Sequence, residues 1–370
     1  MKPFLAERLP LTNIDWPSLV PLIGQANRAL ALYDGILYGV PNPEVLLSPL
    51  TTQEAVLSSR MEGTQATLGD VLKFEAGAEV VEESKRQDIQ EIINYRRALQ
   101  TAEEELKKRP FNLNLLLLQL HGILLDSVRG RNKARGQFRL EQNWIGPAGS
   151  SIEEARFVPP APLLLKDHLD NWEKYYHGEE RDPLVQLAIV HAQFEIIHPF
   201  LDGNGRLGRI LVPLFLHEKK LLSRPMFYIS SYLEANREEY VDRLRDLGRP
   251  KSWDRWIDFF LRAVTEQAKA NSTTARAIIE LYEKLKTRLI ELTHSRYAVP
   301  LLDHLFDQPI FQSSQLTRYK HMPSVPTVMQ MLGRLRKAGI LKTVRKGRGR
   351  RAEIFAFVEL LNLCEGKRVM

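Results

Sequence analysis

One cysteine, Cys364, stands in 370 residues. It excludes an internal disulfide and points to a reducing compartment, with the cytosol as the default. No apolar run is long enough for a bilayer. The greasiest stretch, Leu113 to Leu125, is broken by Asn114, Gln119 and His121, whereas a span needs roughly 20 apolar residues. The first residues, MKPFLAERLP, carry Glu7 and Arg8 where a signal peptide would be apolar, so neither membrane insertion nor secretion is expected. Internal repeats and low-complexity tracts are also missing. Acid is missing from one region altogether. Between Gln308 and Ala352 there is no Asp or Glu, while Arg318, Lys320, Arg334, Arg336, Lys337, Lys342, Arg345, Lys346, Arg348, Arg350 and Arg351 are basic. The net charge of +7 is therefore a property of the C-terminal end and bears on partners there.

What remains is an ordinary globular composition, 44% hydrophobic and 26% charged, long enough for two or three domains. Most of it reads as helix. Asn13 to Ala31 has apolar positions at helical spacing. Thr51-Thr52-Gln53-Glu54 resembles a capping box that opens a helix running to Glu62, with Gly63 to end it. Glu82 to Lys108 predicts a long charged amphipathic helix and Asn112 to Val128 an apolar one. Asp182-Pro183 is an N-cap acceptor followed by proline at the first helical position. The helix it opens, Leu184 to about Ile197, is apolar on nearly every face and should be central to the core. Strand is expected at Asn143 to Ile145 and Arg156 to Val158, as a small hairpin or flap, and at Lys342 to Val344 and Glu353 to Val358. The chain divides by this reading into an N-terminal helical region (1–100), a core (101–292) and a C-terminal domain (298–370).

The chemistry is concentrated in His198 to Arg209, HPFLDGNGRLGR. A helix ends at His198, a loop follows, and a new helix opens near Gly205. Gly203 and Gly205 remove the Cβ atoms that would keep an anion from the backbone, so successive N–H groups can converge on a phosphate. The helix start adds unpaired donors and the positive end of its dipole. Arg206 and Arg209, three apart, can clamp further phosphate oxygens. Asp202 is a hard oxygen ligand of the kind Mg²⁺ takes when phosphates and water hold most of it. His198 is placed to take a proton from an incoming hydroxyl. A plain glycine turn with surface arginines would need every one of these coincidences. A metal site of His191, Glu195 and His198 on one helix face lacks the adjacent histidine pairing of a zinc protease.

HPFLDGNGRLGR resembles the signature of Fic proteins, HxFx(D/E)GNGRxxR, at every defining position. Leu120 to Arg139 (LHGILLDSVRGRNKARGQFR) and Arg156 to Pro160 (RFVPP) resemble segments that precede it, so the likeness covers about residues 10 to 290. The resemblance implies a mainly α protein, a Fic-type helical core with a small β-hairpin flap, acting as a protein adenylyltransferase. ATP would be the substrate, with Mg²⁺ or Mn²⁺. It implies His198 as base, Asp202 holding the metal at the α- and β-phosphates, and Gly203, Asn204 and Gly205 as the anion nest. Arg206 would contact the phosphates and Arg209 the γ-phosphate. The flap, Asn143 to Val158, would dock the target protein by strand addition. Ser58-Ser59-Arg60-Met61-Glu62-Gly63 matches the family's (S/T)xxxE(G/N) inhibitory motif, which implies that Ser58, Glu62 and Gly63 form an N-terminal inhibitory helix end with Arg209 as partner of Glu62. A carboxylate in the last turn of a helix is disfavoured by the dipole and calls for a cation. Pro213 departs from an ideal helix two turns past the loop. Tyr240 is either a wall of the nucleotide pocket or a core tyrosine.

Residues 300 to 358 read as helix (Leu301 to Phe306), helix (Ser313 to Arg318), helix (Val325 to Ala338) and two short strands, an order that resembles a winged helix. Its charge suits DNA, though a protein-binding winged helix or a solvated basic face has the same pattern. A homodimer is left open. Three rival functions stand beside AMP transfer: a DNA-binding regulator whose core senses nucleotide, transfer of another phosphate-linked group, and removal of AMP from a modified protein.

Overall fold

The computed structural model describes residues 2–40, 42–127, 133–146, 149, 151–317, 322–349 and 351–367. It is mainly helical, as expected. In chain order the helices are α1 (Trp16–Gly39), α2 (Pro43–Leu46), α3 (Ser48–Met61), α4 (Leu68–Glu75), α5 (Glu83–Leu106) and α6 (Leu118–Leu124). Then come α7 (Leu165–His177), α8 (Pro183–Ile197), α9 (Asn204–Glu218), α10 (Ser230–Ala235), α11 (Arg237–Arg245) and α12 (Ser252–Thr293). The C-terminal end runs α13 (Ala298–Asp307), β1 (Ile310–Gln312), α14 (Ser313–Leu316), α15 (Val325–Lys337), β2 (Lys342–Arg345), β3 (Ile354–Ala356) and α16 (Val358–Glu365). Among the described residues no helix is long and apolar enough to cross a membrane.

Several local expectations need correction. The third helix starts at Ser48, not at the Thr51 box. Pro49 sits in the first turn, where its missing N–H is harmless, and Leu46, Leu47 and Leu50 are buried there. The apolar helix expected over 112–128 is instead a π-helical turn, Leu113–Leu117, leading into α6, and Val128 lies outside the described residues. The flap is a single bridge between Ile145 and Phe157 rather than two strands, and residues 147, 148 and 150 lie outside the described residues. Pro213 is accommodated within α9.

The chain forms two compact units that are not consecutive in sequence. The first comprises residues 1–35, 57–63 and 94–269. Its centre is α8. The Asp182 carboxylate caps this helix by accepting from the backbone N–H of Leu184 (2.9 Å) and Val185 (3.1 Å), and every residue of it except Pro183 and Glu195 is buried. Helices α7 and α9 pack on it. The indoles of Trp172 and Trp256 donate to the Val190 and Ala188 carbonyls, each at 2.8 Å, so each ring fills the core without stranding its N–H. Truncating either to Ala would cost about 3–5 kcal/mol.

The second unit comprises residues 36–56, 64–93 and 270–370. Its sheet is antiparallel in the order β1-β3-β2, with Phe311 opposite Phe355 and Thr343 opposite Phe355 on the other side. Strand β1 is a three-residue element that the sequence did not announce. Helix α15 buries Val328, Met331, Leu332 and Leu335, the i, i+3, i+4, i+7 stripe of an amphipathic helix. Of the basic residues in the acid-free stretch, four are engaged within the unit. Arg334 caps α12 through the Leu292 and Thr293 carbonyls, Arg336 pairs with Glu353, Arg345 donates to Gly77, and Arg351 pairs with Glu79. Lys337, Lys342, Lys346 and Arg348 are exposed. Arg318, Lys320 and Arg350 lie outside the described residues.

Candidate active site

Helix α8 does not simply stop at proline. Its C-cap is His198 itself, in the left-handed region at φ +50°, ψ +61°, a conformation that disfavours a side chain by roughly 1–3 kcal/mol. Arg139 over-determines it. This buried guanidinium donates to the carbonyls of His198 (2.9 Å), Pro160 (2.5 Å), Ile197 (3.4 Å) and Glu141 (3.2 Å). Burial without a carboxylate partner pulls its pKa down to about 10. The His198 Nδ1 faces the Glu195 carbonyl at 3.2 Å. Since a carbonyl only accepts, Nδ1 carries the proton and Nε2 keeps its lone pair. Burial pushes the imidazole down to about 4, so it is neutral at pH 7 despite its helix-terminal position. That is the state a base requires.

The loop after His198 is fixed from two sides. Asn204 closes a ring with Phe200, its Oδ1 accepting from the Phe200 N–H (2.9 Å) and its Nδ2 donating to the Phe200 carbonyl (2.8 Å). Its side chain therefore shapes the loop, and only its backbone is left for an anion. His121 accepts from the Gly136 N–H at Nδ1 (2.9 Å), so its Nε2–H donates to the Asp202 carbonyl (3.1 Å). Gly203, at φ +82°, is the N-cap of α9. Arg206 pairs with Asp202 at 3.2 Å.

Arg209 is 2% exposed and belongs to the same first turns of α9. Its Nε donates to Ser58 Oγ (2.8 Å), and its Nη2 donates to the Ser58 carbonyl (2.9 Å) and to Glu62 Oε1 (2.6 Å). The Glu62 carboxylate is 38% exposed. Burial raises its pKa, but Arg209 outweighs burial and holds the carboxyl below its usual range. A Cβ placed on Gly205 would collide with Glu62 Oε1. The carboxylate thus occupies the space opened by the glycine at the helix start, where an anion would lie. Gly63 follows at φ +106° and ends the helix.

Of these residues Glu62, His198, Gly205 and Arg209 line one cavity of about 520 Å³ that also takes in Trp144, Glu195 and Tyr240, a size suited to a small-molecule ligand; Ser58, Asp202, Gly203, Asn204 and Arg206 are not part of its lining. Sequence reasoning put His198, Gly205, Arg209, Tyr240 and Glu62 on its candidate roster, and all of them line it. It missed Arg139, and it considered Glu195 only as a metal ligand beside His191 and His198. Glu195 sits one turn before His198, its Oε1 has no hydrogen-bond partner among the described residues, and burial raises its carboxyl to about 7. Tyr240 is both wall and core: its hydroxyl donates to His191 Nε2 at 2.9 Å while His191 Nδ1 faces the Gly208 carbonyl at 3.1 Å. Both nitrogens of His191 are thereby committed, which removes the His191, Glu195, His198 metal site.

Among the described residues no group of three or more His, Cys, Asp or Glu side chains could hold a metal. A protein-held metal cage is therefore absent there. Asp202 offers a single half-exposed carboxylate, which fits Mg²⁺ brought in on nucleotide phosphates and completed by water.

The Fic/DOC family N-terminal model matches residues 20–104 and the Fic/DOC family model residues 111–216, together just over half the chain. A protein of Aquifex aeolicus named "Probable protein adenylyltransferase aq_aa38" is 27% identical over 215 residues, covering 55% of this chain and 57% of that one. "Protein adenylyltransferase Fic" of Drosophila ananassae is 32% identical over 106 residues, covering 27% of this chain and 18% of that one. The chain thus spans little more than half the length of the first of these relatives and less of the second. The crystal structure of a Fic family protein from Desulfovibrio desulfuricans G20 superposes with a TM-score of 0.59 at 18% identity, covering 95% of this chain and 98% of that one. A Fic domain containing signaling protein from Bacteroides thetaiotaomicron gives 0.54 at 18% identity, covering 68% and 97%. At that identity the likeness is one of fold.

Proposed function

The chain belongs to the Fic/DOC family, and on that footing we propose that it is a protein adenylyltransferase that moves AMP from ATP to a Tyr, Ser or Thr hydroxyl of another protein. The observation that carries the reading is His198. A neutral imidazole whose Nε2 keeps its lone pair lines the same cavity as Gly205, at the start of α9, and the buried Arg209.

In this reading Nε2 takes the hydroxyl proton as the oxygen attacks the α-phosphorus, and the bond to the bridging oxygen breaks. Pyrophosphate leaves and the proton passes from His198 to solvent. The backbone N–H groups at Gly203, Asn204 and Gly205 and the cations Arg206 and Arg209 stabilise the charge on the departing phosphates. Asp202 would hold Mg²⁺ brought in with the nucleotide, and the ion would supply neutralisation of phosphate charge when bound. Tyr240 walls the nucleotide, and residues of the flap around Ile145 receive the target segment. Glu62 restrains the enzyme by occupying the anion space at Gly205 and engaging the arginine meant for the γ-phosphate. A nucleotide sensor without turnover would have no use for a neutral base at position 198. The C-terminal segment is read as a winged helix, and a cytosolic location is the default reading for a chain with a lone cysteine.

Incubation with Mg²⁺ and ATP labelled at either the α- or the γ-phosphate tests the reaction. Label on protein from the α position alone supports it, and label from the γ position alone makes the protein a kinase instead.

A further inference from the structure

Glu195 is the one acidic residue of α8, and its side chain opens onto the cavity that His198 and Arg209 line. Its Oε1 is turned the other way and is buried with no hydrogen-bond partner among the described residues. Helix α9 makes room for that oxygen. A Cβ placed on Gly208 would collide with Glu195 Oε1. Gly208 lies inside α9 and is not one of the positive-φ glycines, so its backbone asks for no glycine. A glycine within a helix is unfavourable relative to alanine, and here the space it leaves goes to the carboxyl of Glu195.

The polar groups around Glu195 are committed elsewhere. Arg209, from α9, gives its guanidinium to Ser58 and Glu62. Tyr240, from α11, shares its hydroxyl with His191 of α8. Arg237, also from α11, donates to the Met61 carbonyl at 3.3 Å, and His198 keeps Nδ1 for a backbone carbonyl. Burial lifts the Glu195 carboxyl to about 7, with Arg209 opposing the lift and Glu62 adding to it. A carboxyl that no donor meets, beside a second carboxylate, is best placed as the neutral acid, and the neutral acid donates. This end of the cavity already holds an anion, since Glu62 fills the space at Gly205 and meets Arg209. A ligand group that replaces Glu62 there is an anion too, and an anion only accepts. Glu195 can meet it only as a donor.

We propose that Glu195 is a nucleotide-binding residue, a neutral carboxylic acid that donates a hydrogen bond to a terminal phosphate oxygen from the space that Gly208 leaves open. This rests on the adenylyltransferase reading, in which Arg209 meets the same phosphate. Glu195 then separates nucleotides by their phosphates, because ATP extends to it and AMP does not. The ionised carboxylate repels phosphate, so the contribution to ATP binding is complete at low pH and is lost as pH rises through the titration of Glu195. Removing Glu62 lowers the midpoint and keeps the sign.

The test is equilibrium titration with ATP or AMP, each with Mg²⁺, of the full-length chain carrying Glu62→Gly and His198→Ala, which clears the anion space and blocks turnover. From about pH 6 to about pH 9 its affinity for ATP should fall about tenfold or more, since each unit between the free and the bound carboxyl is a factor of about ten. Adding Glu195→Gln, a neutral donor at every pH, should cut that fall to less than about 2-fold. Adding Glu195→Ala instead should weaken ATP about tenfold relative to the glutamine variant at about pH 6, the scale of one lost hydrogen bond. AMP should bind all three chains alike. The pH series on the parent chain needs no change at position 195, so it decides the matter even if the alanine variant does not fold. The same pH dependence with Glu and with Gln at 195 overturns the proposal, and so does ATP binding that tightens as pH rises, which would make Glu195 an acceptor. Equal losses for ATP and AMP overturn it as well, by moving Glu195 to the nucleoside. In each of these cases ATP still binds, and the nucleotide reading stands without Glu195. No ATP binding by any of the chains overturns that reading and the proposal together.

Discussion

Arg209 Nη2 lies 2.6 Å from Glu62 Oε1, and the same oxygen covers the space left open by Gly205. One carboxylate thereby meets both an anion cradle and its strongest cation. The Ser58 hydroxyl and carbonyl hold the far side of the guanidinium. The guanidinium is buried while the carboxylate is partly exposed, so removing Glu62 leaves a buried cation without its ion-pair partner.

Replacing Glu62 by Gly should therefore raise the rate of transfer, about tenfold or more if the carboxylate competes directly with phosphate. ATP affinity should change less than rate, because the cradle remains. Adding Arg209→Ala should cancel the gain. Equal labelling by wild type and Glu62→Gly at saturating ATP would reduce Glu62 to the end of a helix.

His198→Ala should lower transfer about 10²–10⁴-fold while nucleotide binding persists, the usual loss for a general base. Single-turnover labelling with a separate nucleotide-binding measurement distinguishes the two. Wild-type labelling by this variant would remove His198 from the mechanism.

The pH profile of the Glu62→Gly variant should show an unusually low acid limb. Burial pushes His198 down to about 4, and the base works only above its pKa. Activity should persist to about pH 5 and fall below it, whereas an ordinary imidazole would fail near pH 6.5. Loss of Glu62 removes a carboxylate that favours the protonated ring, so the shift keeps its sign. An acid limb at 6.5 would mean that the ring is solvated in the working enzyme.

Arg139 should prove to be a positioning residue. Arg139→Met keeps most of the volume but leaves the carbonyls of Pro160 and His198 without their donor, a loss of about 1–3 kcal/mol of stability. Melting temperature should fall, labelling should drop at least tenfold, and ATP affinity should stay near wild type. Unchanged labelling would show that the His198 backbone does not need this guanidinium.

Lys337, Lys342, Lys346 and Arg348 face solvent, and a duplex DNA is the partner this charge would draw. Full-length protein should be retained by random-sequence duplex at about 50 mM salt and released by about 200 mM, as phosphate contacts demand. Lys342→Glu/Lys346→Glu/Arg348→Glu should abolish retention. No retention at low salt would point to a protein docking on this face.

The twelve residues from His198 to Arg209 were legible because their chemistry is local: helix end, glycines and arginines follow one another at fixed spacing. The central helix was legible for a similar reason, with its cap at Asp182 and its apolar run in plain order. Arg139 was not. Its partners are backbone carbonyls, two of them about 60 positions away, and a carbonyl leaves no trace in residue type. Glu195 reads as one polar residue on an apolar helix until α9 closes over it. Strand β1 is three residues long and is defined only by pairing with β3. The start of α3 was misread because Thr51 to Glu54 carries a cap's pattern, while burial of Leu47 and Leu50 drew the helix three residues earlier.

The left-handed backbone at His198 bears on how a target could be captured. Alanine removes the imidazole but keeps a Cβ in a region that favours glycine, whereas His198→Gly removes the imidazole and the conformational penalty together. The glycine variant should melt higher than the alanine variant, by about 1 kcal/mol of stability. For trapping a complex with ATP and an unmodified target, glycine at this position is the better inert scaffold, because the proposed base is also a point of tension in its own framework.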